Sequence, residues 1–143
     1  MRAKWLWGLV FALAPAAASA GDLGKGDLIG TWAVDCSQPP SGGNIFEYFS
    51  LLPDGTVRYQ PVISENRGLL PSQTLSNFTP LGGGLLRAKF VRDTDGDITL
   101  VTISIADKHL WSQRSVDPDG TLHVEGGNFV GDGQPVPHLA KCG

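Results

Sequence analysis

The chain has 143 residues, of which 41% are hydrophobic and 17% charged, and its formal net charge at pH 7 is −3. This length suits one domain with a single hydrophobic core. The 11 basic residues are scattered along the chain and form no cluster that would attract phosphates. Composition therefore gives no reason to expect nucleic acid or an anionic membrane surface as a partner.

The first twenty residues have the three parts of a secretory signal peptide. Two positive residues precede an apolar run at 5–14, and Ala18-Ser19-Ala20 offers the small side chains of a cleavage site. An apolar run this short does not span a hydrocarbon layer of about 30 Å. We therefore expect a signal peptide at 1–20 and a single domain at 21–143. We expect this domain to be exported by a bacterium, to the periplasm or to the outside. An uncleaved anchor is the alternative; we expect no transmembrane segment after residue 20.

Two cysteines, Cys36 and Cys142, lie in the exported part, where oxidation is the default. They allow one intramolecular pairing. Their bridge would close a loop of about a hundred residues and fix the C-terminal segment to the first strand. The alternatives, a reactive thiol or a metal pair, lack a nearby Cys or His at ligand spacing, so we expect no metal site here.

Short β-rich runs separated by Gly and Pro fill the rest of the chain, which is typical of a sandwich or barrel. In chain order the candidate strands are 28–36, 44–52, 56–60, 73–78, 85–92, 98–105, 109–116, 122–125 and 134–142. The stretch 61–80 is the least readable, and a short helix at 71–77 is its alternative. We predict an all-β, antiparallel meander of eight, or nine, strands that closes into a barrel with one disulfide.

The Pro53-Asp54-Gly55 segment predicts a tight hairpin turn, because Pro fixes φ and Gly accepts a left-handed backbone. This turn places Leu51 opposite Val57 and Phe49 opposite Tyr59. Apolar residues then face each other across the hairpin, which supports the register.

The Gly30-x-Trp32 tripeptide on the first strand resembles the signature of the lipocalin and wider calycin barrels. In that family the Trp closes the barrel floor and packs under an Arg from a late strand, for which Arg114 is the candidate here. The resemblance implies an eight-stranded, lipocalin-like barrel with an internal cavity for a small, mostly apolar ligand. Without the resemblance, Trp32 is an ordinary core tryptophan.

The polar clusters have structural explanations beside their chemical ones. The acidic segment 93–97 fits a hairpin turn better than a calcium loop, because its spacing is not that of an EF-hand. Pairing around the 118–120 turn would set Ser115 opposite His123, the elements of a nucleophile and base. No nucleophile elbow and no orienting acid accompany them, so we expect no enzyme and no cofactor.

We therefore expect a monomeric, non-enzymatic binding protein that holds a small apolar ligand in its barrel. The candidate ligand-binding residues are the large aromatic side chains of the strands: Trp32, Phe49, Tyr59, Phe90 and Trp111. The first alternative is a cell-envelope interaction protein or inhibitor that acts through its loops, at 37–43 and 64–71. The second is an enzyme that depends on His123 or Glu125.

Signal-peptide cleavage is testable by the mass of the protein recovered from the exported fraction. We expect the denatured mass of a chain that begins at Gly21 and lacks two hydrogens, because the cysteines are bridged. A mass that includes residues 1–20 would contradict cleavage and favour the anchor.

Overall fold

The structure is a computed structural model, and it describes residues 22–64 and 70–143. The predicted signal peptide at 1–20 lies outside the described residues. Within these ranges, no helix is long and apolar enough to cross a membrane.

The described residues form one short helix and ten strands. A 3₁₀ helix, Lys25–Asp27, precedes the strands β1 (Gly30–Ala33), β2 (Phe46–Leu51), β3 (Val57–Val62), β4 (Gln73–Gly82), β5 (Leu85–Arg92), β6 (Ile98–Ala106), β7 (His109–Val116), β8 (Leu122–Glu125), β9 (Asn128–Phe129) and β10 (Leu139–Cys142).

The strands close into an antiparallel eight-stranded barrel, as predicted. Strands β1 to β7 pair in chain order, and β10 joins the two edges by pairing with both β1 and β7. On β7, Leu110 lies opposite Leu139 of β10, whereas Ser115 lies opposite Val124 of β8. Strands β8 and β9 are thus a hairpin attached outside the closed barrel.

The predicted disulfide is present. Cys36 and Cys142 are bonded, with 5.5 Å between their Cα atoms. Cys142 ends β10, opposite Thr31 of β1. The bond therefore fixes the strand that closes the barrel.

The predicted β2–β3 hairpin has the expected register. Leu51 lies opposite Val57 and Phe49 opposite Tyr59. The Asp54 carboxylate accepts hydrogen bonds from the amide and hydroxyl of Thr56, which fixes the turn. These bonds explain why the short polar sequence encodes the hairpin.

Several predicted elements differ from the structure. Strand β4 runs to Gly82, past the predicted end, because a register shift after Ser76 absorbs Asn77 in a left-handed conformation, with φ of 55°. No helix forms over 71–77. Strand β10 starts at Leu139 rather than at 134, after two prolines, and the short strand β9 was not predicted.

The barrel floor is the packed end of the interior, formed around Trp32, Leu28, Leu75 and Leu86, which are all at most 2% exposed. The Trp32 indole nitrogen donates to the Leu28 carbonyl at 2.9 Å. Gly30 has φ of 131°, and a side chain there would meet the Lys141 stem at 3.3 Å. The backbone conformation at position 30 therefore explains the glycine, and the buried, hydrogen-bonded position 32 explains the tryptophan.

Arg114 does not take the position over the floor tryptophan that the family resemblance implied. It pairs with Glu125 at 3.0 Å, and both side chains are about half exposed. The cation over the Trp32 ring is Lys141, with its ammonium 5.6 Å from the ring centroid.

Removing the disulfide should destabilise the barrel strongly. Cys36 and Cys142 are 106 residues apart, so loss of the bond frees a long loop in the unfolded chain. We expect the double variant Cys36→Ser/Cys142→Ser to lose about 4–5 kcal/mol of unfolding free energy on the chain-entropy model. Denaturant unfolding measures it, with the chemically reduced wild type as the matched control. Equal stability of the oxidised and reduced proteins would contradict the prediction.

Candidate functional site

A cavity of about 540 Å³ lies in the half of the barrel beyond the floor. Phe49, Tyr59 and Phe90 form an aromatic cluster on its wall, with ring centroids 5.0 Å and 5.8 Å apart. Val101 and Leu110 continue the apolar surface. These residues belong to strands β2, β3, β5, β6 and β7, so the wall depends on the complete barrel.

The mouth is the polar end of the cavity, formed by Arg92, Asp97, Asp117 and His123. Arg92 lies 3.0 Å from Asp95 and 3.7 Å from Asp97. His123 lies 2.8 Å from the Asp117 carboxylate. The charged groups of the mouth are therefore paired with one another.

A bulge in β7 turns additional polar groups towards the cavity. Ile103 of β6 lies opposite Ser112, but the next residue, Thr102, lies opposite Arg114, so Gln113 is an extra residue. A bulge of this kind resets the alternation of side chains along a strand. As a result Ser112 and Ser115 both line the cavity.

Glu47 is an acidic residue inside the cavity, next to Phe49 on the inward face of β2. It accepts a hydrogen bond from the Tyr59 hydroxyl at 2.7 Å. Burial raises the pKa of Glu47 from 4.5 to about 7, and the Tyr59 bond opposes part of this shift. Burial and the neighbouring carboxylate also hold the pKa of Tyr59 well above 10. Glu47 is therefore poised to change charge near neutral pH.

Four of the five predicted ligand-binding residues line the cavity: Phe49, Tyr59, Phe90 and Trp111. Trp32 lies in the floor and is not part of the cavity lining. Trp111 differs from the aromatic cluster because it stacks on the His138 ring, with 4.2 Å between ring centroids and 3° between planes.

Ser115 and His123 are not paired across the β7–β8 hairpin, contrary to the predicted register. Ser115 lies opposite Val124, because a register shift follows this pair, and the His123 ring is taken by Asp117. The acidic segment 93–97 is a turn in which Asp93 accepts hydrogen bonds from Ser72 and Thr74. In the part of the chain that the structure describes, no cluster of three His, Cys, Asp or Glu side chains could hold a metal ion.

The 37–43 loop is held by one buried side chain. Asn44 is 7% exposed, and its amide donates to the carbonyls of Asp35, Gln38 and Pro39. Its carbonyl oxygen accepts from the Asp35 amide at 2.8 Å. The loop therefore has a defined shape. Most of the other candidate loop, 64–71, lies outside the described residues.

Sequence reasoning missed Glu47 as a site residue, although a signal was present. The predicted hairpin register put Phe49 on the inner face, and residues two apart on a strand share a face. Glu47 therefore interrupts an apolar face, which is rare unless the carboxyl has a role or a partner.

Comparisons of the chain with protein-family models, with curated proteins and with solved structures find no match. The closed antiparallel barrel is compatible with a lipocalin-like architecture. The class that the structure itself defines is a disulfide-closed eight-stranded barrel with an internal cavity.

The partly buried Glu47 carboxyl should make stability fall as the pH rises. The Glu47 pKa is about 7 in the folded chain against 4.5 unfolded, so the folded state holds the proton more tightly. The contribution of Glu47 to the free energy of unfolding is fully present below pH 4.5 and is lost as the pH rises through 7. We expect Glu47→Gln to match wild type at pH 4 and to exceed it by up to about 3 kcal/mol at pH 8.

Denaturant unfolding at the two pH values measures this difference. Glu125→Gln is the matched control, because Glu125 pairs with Arg114 at the surface, and it should show no such gain. An equal difference between Glu47→Gln and wild type at both pH values would contradict the prediction.

Proposed function

We propose that the protein is an exported, non-enzymatic binding protein that holds a small, mostly apolar molecule in the barrel cavity. The observation that carries the proposal is a cavity of about 540 Å³ with an aromatic wall, above a packed floor. Ligand sites typically measure about 300–1,000 Å³ and combine apolar walls with a few convergent polar groups.

Export is part of the proposal. The disulfide suits an oxidising compartment, which agrees with the signal peptide expected at 1–20. A ligand held there would be protected from water by the apolar wall, while the paired charges of the mouth stay in contact with solvent.

A second candidate function is supported by the 37–43 loop. Four hydrogen bonds of Asn44 give this loop a fixed shape, and a preordered loop loses less entropy when it binds a protein. The alternative is therefore a cell-envelope interaction protein or inhibitor that uses this loop.

Binding of a neutral apolar fluorophore, N-phenyl-1-naphthylamine, tests the cavity function. We expect the wild type to bind one molecule with increased emission. Thr99→Phe adds a ring beside Phe90 on the cavity wall and should weaken binding by at least about tenfold, or 1.4 kcal/mol.

Thr102→Phe is the matched control, because it makes the same change on the same strand but on the outer face, where Thr102 lies between Arg87 and Arg114. It should bind as the wild type does. No binding by folded wild type would overturn the proposal, as would equal weakening by both variants. A loss of binding to an envelope protein on Asn44→Ala would then favour the loop.

A further inference from the structure

The charged groups of the cavity are unevenly balanced. Among the residues that the structure describes, the lining contains the acids Glu47, Asp97 and Asp117, but only two basic side chains, Arg92 and His123. Arg92 pairs with both Asp95 and Asp97, and His123 pairs with Asp117. Among the described residues, Glu47 is thus the one cavity carboxyl without a basic partner.

Glu47 also has unused hydrogen-bonding capacity. Tyr59 donates to one carboxyl oxygen, Oε1, at 2.7 Å. The other oxygen, Oε2, has no donor among the described residues. In this part of the chain, every side-chain polar atom without a partner has some accessible surface, so Oε2 is not fully buried. A donor on a ligand can therefore reach it.

The surroundings of Glu47 favour a cation over a neutral donor. The Phe49, Tyr59 and Phe90 rings line the same cavity, and aromatic faces attract ammonium groups. A carboxylate buried without a counter-charge is costly, and a ligand cation removes that cost. An anionic ligand would find no unpaired basic side chain among the described residues that line the cavity, since Arg92 and His123 already have acidic partners.

We infer that the ligand class is an amphiphilic amine, whose protonated nitrogen pairs with the Glu47 carboxylate while its apolar body lies against the aromatic wall. This inference rests on the proposed binding function and names the ligand chemistry of the same cavity. It requires no covalent step and no cofactor.

Binding of such an amine should strengthen with pH. The pKa of the Glu47 carboxyl is about 7 in the empty cavity, so below that pH the amine must displace a proton. Within 22–64 and 70–143, the other titratable or charged groups that line the cavity are Tyr59, Arg92, Asp97, Asp117 and His123. His123 also lines the cavity and would repel a ligand cation whenever it is protonated, so the test must separate His123 from Glu47.

The experiment compares two probes of equal chain length, n-octylammonium and 1-octanol, by calorimetric titration from pH 5.5 to 8.5. We expect the ammonium to bind at least about tenfold more tightly than the alcohol at pH 8.5. Its affinity should rise about tenfold per pH unit below 7 and then level off, since an alkylammonium stays charged to about pH 10. The alcohol should show little pH dependence.

Three variants assign the effect. Glu47→Gln should abolish the preference for the ammonium over the alcohol. Glu125→Gln, the same substitution at a surface ion pair, should behave as wild type. His123→Gln should keep the pH dependence. Thermal unfolding checks that each variant is folded.

The outcomes separate the inference from the function on which it rests. Alcohol binding without tighter ammonium binding, or a preference that survives Glu47→Gln, overturns the amine and leaves the binding function standing. A pH dependence that disappears in His123→Gln also overturns it. If neither probe binds to the folded wild type, the binding function itself fails.

Discussion

Closure of the sheet by β10 is the constraint on which the rest of the structure depends. This four-residue strand pairs with β1 on one side and β7 on the other, and the Cys36–Cys142 bond fixes its end. Without it, two sheet edges would lie open and the aromatic wall would lose its continuity. A barrel with a filled floor then has an interior at its other end that side chains do not fill. The cavity is therefore a consequence of closure as much as of the residues that line it.

The fold was largely predictable, because its determinants are local. The alternating hydrophobic runs and the Pro53-Asp54-Gly55 turn were enough for the meander of β1 to β7 and for one hairpin register, but not for the position of β8 and β9 outside the barrel. Strand β4 was misjudged because its bulge at Asn77 depends on pairing with β5, which local sequence does not encode. Of the predicted ligand-binding residues, Phe49, Tyr59 and Phe90 line the cavity, whereas Trp32 lies in the floor. That distinction depends on height along the barrel axis, and strand alternation carries no information about height.

Under the proposed function, the site illustrates a conflict between stability and binding. An apolar residue at Glu47 would pack against Phe49 without the cost of desolvating a carboxyl. The chain keeps the acid, hydrogen-bonded to the Tyr59 hydroxyl, in a position that lines the cavity. Strained or costly features of this kind are typical of sites where selection acts on recognition rather than on stability. The paired charges at the mouth, by contrast, are compatible with solubility alone.

The extra residue in β7 has a consequence for how such a barrel could diversify. Gln113 separates a segment that contains Leu110 and Ser112 from a segment that contains Arg114 and Ser115. Loss of this one residue would leave Arg114 opposite Thr102 and Ser115 opposite Val101 in an unbroken ladder, so Arg114 would stay outward and Ser115 inward. A single-codon deletion would thus remove the bulge and keep the same side chains in the lining. The bulge therefore lets the length of the strand vary by one residue while the chemistry of the opening is inherited unchanged.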